Sequence, residues 1–96
     1  MANFRFEAQD DEILLINADT QQQAGEIAFM TADETLIIVH TGVNPEYRGQ
    51  GLAEQLVLKV VEKARREDKK ILPICPFAQK EFREKPDYSD VLRQDV

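Results

Sequence analysis

One cysteine, Cys75, and one histidine, His40, are all that the 96-residue chain holds of those two residue types. One of each cannot build a zinc cage, so no metal is expected. A lone cysteine closes no intramolecular disulfide, and a reducing, cytoplasmic setting is the default expectation. No apolar run approaches the roughly 18 residues of a membrane-spanning helix, so no membrane association is expected. Met1-Ala2-Asn3-Phe4-Arg5-Phe6 lacks the apolar core of a signal peptide. The length leaves no room for a two-lobed dinucleotide enzyme or a barrel of parallel strands, and a single domain over 1–96 is expected. Positive charge is scarce too. Twelve basic residues stand against 18 acidic ones, a net charge of −6, which argues against nucleic acid as a partner.

Hydrophobic residues make up 43% of the chain, enough for a folded core. The charge is lopsided: residues 1–48 hold nine acids and two bases, and residues 49–96 hold nine acids and ten bases. The acidic half is either a solvated face or a surface that favours a cationic partner.

Phe4-Arg5-Phe6-Glu7-Ala8 alternates apolar and polar, as a half-buried strand does. Further strands are expected over Glu12–Ala18, Gln23–Thr31 and Thr35–Val43, joined by short polar turns. The last of these carries Leu36-Ile37-Ile38-Val39, a run suited to a central strand. A long helix is expected from Leu52 to Asp68, because Leu52, Leu56, Val60 and Ala64 recur every four residues. Ala53, Val57 and Val61 widen that stripe. A short fifth strand, Ile71–Cys75, is crowded by Pro73 and Pro76, which suits an edge or a bulge. A short helix over Phe77–Lys85 and a ragged tail over Tyr88–Val96 complete the chain. The fold class is α+β: a four-strand antiparallel meander, a long helix, a fifth strand parallel to the fourth, and a short C-terminal helix. The strand-helix-strand crossover should be right-handed.

The stretch between the strongest strand and the strongest helix carries the chemistry. It reads Val43-Asn44-Pro45-Glu46-Tyr47-Arg48-Gly49-Gln50-Gly51-Leu52-Ala53. A glycine-rich turn into a helix N-terminus offers backbone N–H groups and the positive end of a dipole, which together suit phosphate oxygens. The loop lacks the lysine-hydroxyl pair of a nucleotide-hydrolase phosphate loop. It also departs from the dinucleotide fingerprint, since position 54 is Glu.

Arg48-x-x-Gly51-x-Ala53, placed after a strand and opening a helix, resembles the acyl-coenzyme A motif of the GNAT superfamily of N-acetyltransferases. His40-Thr41-Gly42-Val43 before it, and Pro73-Ile74-Cys75-Pro76-Phe77, Phe82 and Pro86-Asp87-Tyr88 after it, look like a short, single-domain branch of that superfamily. The resemblance runs from about Phe6 to Tyr88. It implies a GNAT-like mixed sheet, splayed between strands four and five. It implies acetyl-CoA as acyl donor, held by Val43, Arg48, Gly49, Gln50, Gly51, Leu52 and Ala53. It implies transfer of an acetyl group to an amine of unidentified structure, with the acidic first half pointing toward a cationic amine. The chain is short for the superfamily, and much of the acceptor-binding structure of larger members is missing from it.

Two residues are the catalytic candidates. His40 is placed near the thioester and, as a histidine, suits proton transfer near neutral pH; the alternative is a strand histidine that hydrogen-bonds locally. Cys75 ends the strand beside it, where a thiol activated by His40 could protonate the leaving CoA or take the acetyl group; the alternative is a small buried hydrophobe. Tyr47 and Tyr88 are weaker candidates, and packing is the expected role of Tyr88. Lys80, Arg83 and Lys85 either meet CoA phosphates or form a solvated helix face. Two other readings compete with the transferase: a CoA or acyl-CoA binding module with little or no turnover, and a protein-interaction domain without a ligand. The expected assembly is a monomer or a weak homodimer.

Overall fold

Alternation and β-branched density decide the first half of the chain, and the four-residue spacing decides the second. The computed structural model describes residues 3–93. Strands β1 (Phe4–Ala8), β2 (Glu12–Asn17), β3 (Gln22–Ala32) and β4 (Thr35–Val43) pair antiparallel in sequence order. Helix α1 (Leu52–Glu67) crosses over to β5 (Lys70–Pro73), which lies parallel to β4 at the end of the sheet. Helix α2 (Pro76–Glu84) follows. The expected element order and strand directions are those observed.

The fifth strand ends sooner than its composition suggests. Ile38 O accepts from both Ile74 N (3.0 Å) and Cys75 N (3.1 Å), so the chain turns off the ladder there instead of continuing to Cys75. Pro76 can then open α2, where its missing N–H costs nothing. Beyond the helix, Pro86–Tyr88 forms a turn of 3-10 helix, and Leu92 bridges in parallel to Ile71. The outer side of β5 is therefore partly covered by the chain's own tail; residues 94–96 of the expected tail lie outside the described residues. Arg65 secures that tail to α1. Its guanidinium donates to both Asp90 carboxylate oxygens (3.0 Å each) and to Asp87 O (2.8 Å), a fork geometry suited to carboxylate. The Arg65 side chain also holds the Asp90 carboxyl below the ordinary carboxylate range.

One core lies on one face of the sheet. Leu56, Val57, Val60, Val61 and Ala64 of α1 are fully buried with Leu15, Ile27, Phe29, Leu36, Ile38 and Ile71, and Ala78 and Phe82 of α2 join them. Each fully buried Val or Leu contributes about 1.5–3 kcal/mol, so this stripe, more than intrinsic helix propensity, fixes α1. The opposite face carries Arg5, Glu7, Glu26 and His40, and Met30 there is 61% exposed.

Register breaks shape the site. Ala28 pairs with His40 while Phe29 pairs with Ile38, so Val39 is an extra residue on β4. Such a bulge bends its strand and interrupts pairing. Leu36, Ile38, Thr41 and Val43 consequently share the helix face, and His40 and Gly42 take the open face. Pairing of β4 with β5 ends at Ile38, so β4 continues to Val43 with no strand on that side among the described residues.

Candidate functional site

The loop leaving β4 is fastened before it reaches the helix. Asn44 N donates to Ala24 O (2.8 Å) and Asn44 Nδ2 to Gln23 O (3.0 Å), tying it to β3. Pro45–Tyr47 turns as 3-10 helix. Tyr47 accepts a hydrogen bond from Asn17 Nδ2 (2.8 Å) and meets the Phe4 ring edge-on at 5.4 Å. Tyr47 is thus a pin between the loop and the first two strands. Arg48 Nε donates to Val43 O (3.2 Å), folding the loop back over the end of β4.

Gly49 and Gly51 have φ of +85° and +75°, a backbone that side chains rarely adopt, and this is why glycine stands at both positions. Gly51 caps α1 with no side-chain hydrogen bond. The amides from Gly49 through Glu54 find no acceptor among the described residues. The head of a 16-residue helix therefore presents a row of unsatisfied donors and the positive end of its dipole. Gly49, Gly51, Leu52, Ala53 and Glu54 of this row line a cavity of about 310 Å³.

Of the residues assigned to CoA from the sequence, Val43, Arg48, Gly49, Gly51, Leu52 and Ala53 line this cavity. Gln50 is exposed and does not line it. Five liners lie outside that set: Thr41, Gly42, Tyr47, Glu54 and Phe77. Thr41 and Phe77 close the side away from the loop, and Glu54 stands in the first turn of α1. The departure from glycine at position 54 was the available signal for Glu54. The donor chemistry fits the phosphate oxygens of an anionic ligand, and the unpaired edge of β4 beside Thr41 and Val43 leaves room for a narrow extended chain.

Cys75 does not line the cavity and reaches it only through its contact with the liner Thr41. Its sulfur is 3.5 Å from Thr41 Oγ1 and accepts from Ala78 N (3.3 Å), so the residue is also the N-cap of α2. It is 6% exposed. His40 is elsewhere. Adjacent strand residues point to opposite faces, so Thr41 meets Cys75 on the helix side and His40 lies on the open side. The expectation that His40 activates Cys75 directly is corrected here: the sheet separates them. His40 Nε2 instead lies 3.6 Å from Glu26 Oε1, with 61% of the imidazole side chain exposed. Gly42 lies beneath it, and a Cβ there would stand 3.0 Å from Nε2.

The remaining candidates are structural or distant. Tyr88 is buried against Phe82, with ring centroids 5.6 Å apart. Lys85 forms an ion pair with the buried Glu81, which holds the ammonium pKa above the ordinary lysine range. Lys80 and Arg83 are exposed on α2, and none of these three bases lines the cavity.

A family model described as GCN5-related N-acetyl-transferase matches residues 5–91. No curated protein matches the chain. The solution structure of a GCN5-like protein from Staphylococcus aureus is similar with a TM-score of 0.77 at 29% identity, covering 100% of this chain and 94% of that one. A GNAT family N-acetyltransferase from Escherichia coli, solved in complex with CoA, gives 0.66 at 18% identity, covering 84% of this chain and 67% of that one. N-acetylglutamate synthase from Neisseria gonorrhoeae, complexed with CoA and N-acetyl-glutamate, gives 0.64 at 19% identity. There the match covers 77% of this chain and 18% of the synthase. The last two likenesses bear on the fold alone.

Proposed function

The chain belongs to the GCN5-related N-acetyltransferase family, and from that premise we propose that residues 1–96 form one domain that transfers an acetyl group from acetyl-CoA to an amine. The observation that carries this reading is the row of amides from Gly49 to Glu54, without acceptors among the described residues, at the head of α1. These amides would take the pyrophosphate oxygens. Val43, Thr41 and Phe77 would border the pantetheine arm, and Arg48, Leu52 and Ala53 the mouth. When bound, acetyl-CoA supplies an acyl carbon activated as a thioester. His40, on the open face, takes the proton that an ammonium must lose before its nitrogen can attack. Cys75, on the helix face, returns a proton to the leaving sulfur. The two residues act from opposite sides of the gap that opens where β5 leaves β4.

The test is thiol release from acetyl-CoA over a panel of primary amines, together with calorimetric titration of CoA. Saturable CoA binding with turnover on at least one amine is the expected result. CoA binding with no turnover on any amine makes the protein a binding module. No binding at millimolar CoA overturns both readings.

Glu54 supplies a second check on where the phosphates sit. Its Oε2 lies 3.8 Å from the point a Cβ on Gly51 would occupy, inside the donor row. The charge suits the helix dipole but repels an incoming anion. Neutralising it removes a repulsion of roughly 1 kcal/mol at such range, so Glu54→Gln is expected to tighten CoA binding about fivefold at low salt. The gain should shrink as salt rises. An unchanged or weaker affinity places the phosphates elsewhere.

A further inference from the structure

We propose that Glu26 recognises the acceptor as a primary alkylammonium and presents it to His40. This rests on the transferase reading above and adds to it the class of acceptor and the residue that selects it.

The inference starts from an unbalanced charge. Glu26 stands on β3, opposite Gly42 of β4, with its side chain 31% exposed. The group it faces is the His40 imidazole, with Nε2 3.6 Å from Oε1. The bases of the first half are engaged elsewhere: Arg5 pairs with Glu7 at 3.2 Å and Arg48 donates to Val43 O. Glu12 adds a second carboxylate on this face, since it pairs with Ala28, and Ala28 pairs with His40. Among the described residues no lysine or arginine pairs with Glu26, and a partly desolvated carboxylate selects a positive ligand more strongly than one in bulk water.

Glycine 42 connects this pair to the cavity. Gly42 lines the cavity and at the same time lies under the imidazole, which a Cβ would crowd at 3.0 Å. Only the backbone of one residue separates the donor-binding cavity from the Glu26–His40 pair. An ammonium held by Glu26 lies within hydrogen-bond reach of the imidazole. The step is a proton transfer alone: the proton leaves the ammonium nitrogen for an imidazole nitrogen, and the lone pair stays on the amine. Leu14 pairs with Glu26 and Ala28 with His40, so the ladder sets apolar side chains beside both polar ones, suited to the methylenes of an alkyl chain.

His40 is the only histidine in the sequence, so its imidazole Cε1–H gives a single assignable proton resonance. The protein, with and without saturating CoA, is titrated at constant pH with n-butylamine and with 1-butanol as the neutral counterpart. Butylammonium is expected to shift the resonance saturably and 1-butanol to leave it in place. Glu26→Gln is expected to weaken the butylammonium response about tenfold, and Glu26→Asp to restore part of it. In turnover with butylamine, Glu26→Gln should raise KM by more than it lowers kcat, while CoA affinity stays within about twofold. An equal response to butanol, or an undiminished one in a folded Glu26→Gln protein, overturns the proposal. Failure of CoA binding removes the transferase reading instead, while the CoA-free titration still decides the role of Glu26.

Discussion

Replacing Gly51 by valine is expected to weaken CoA binding by about tenfold to a hundredfold. The φ of +75° at this position is a conformation that a β-branched residue holds only under strain. Strain of this kind costs about 1–3 kcal/mol, and the loop relieves it by reshaping, which turns the amides of the row away from a common target. Each 1.4 kcal/mol is about a tenfold change in affinity. Crowding within the protein is not the cause, since the nearest atom to an added Cβ is Glu54 Oε2 at 3.8 Å. The melting temperature should fall by several degrees, at about 4–8 °C per kcal/mol for a domain of this size. Calorimetry on the folded variant is the check, and an unchanged CoA affinity sinks the placement of the pyrophosphate at this helix.

Cys75→Ala should reduce kcat by about a hundredfold or more, the usual scale for losing a general acid, with CoA affinity within twofold. The alanine also removes the sulfur that caps α2 through Ala78 N, at a cost of about 1 kcal/mol in stability. A lost cap and a lost proton donor would both lower activity, so alanine alone does not separate them. Cys75→Ser does. Its hydroxyl can accept from Ala78 N and exchange a hydrogen bond with Thr41, so stability should return. Turnover should stay low, because a serine hydroxyl gives up its proton far less readily than a thiol. A serine variant that turns over at the original rate reduces Cys75 to a cap.

Much of this architecture is written in local pattern. The β-branched run from Thr35 to Val43 marks the strand that occupies those residues. The four-residue spacing of Leu52, Leu56, Val60 and Ala64 marks a helix whose stripe is buried as expected. Gly49 and Gly51 announce the positive φ values they adopt. Each of these signals lies within a few residues of the structure it determines, which is why the sequence discloses them. The short basic stretch on α2 shows the limit of the same approach. Lys80, Arg83 and Lys85 look like phosphate ligands by type, yet their place on the helix keeps them off the cavity.

The two catalytic candidates show where local pattern stops. Local pattern places a histidine on a central strand and a cysteine just beyond the next strand, on either side of the glycine-rich turn in the chain. Only the tertiary structure decided that they stand on opposite faces of the sheet. Val39 is an extra residue that appears only when β3 and β4 are laid in register, and one extra residue reverses the faces of everything after it. The contact of Cys75 with Thr41 across 34 positions, and of His40 with Glu26 from the neighbouring strand, follow from that register. Periodicity fixes which residues form a strand. Hydrogen bonding to a partner distant in sequence fixes which way each side chain points, and the chemistry of this site depends on the second.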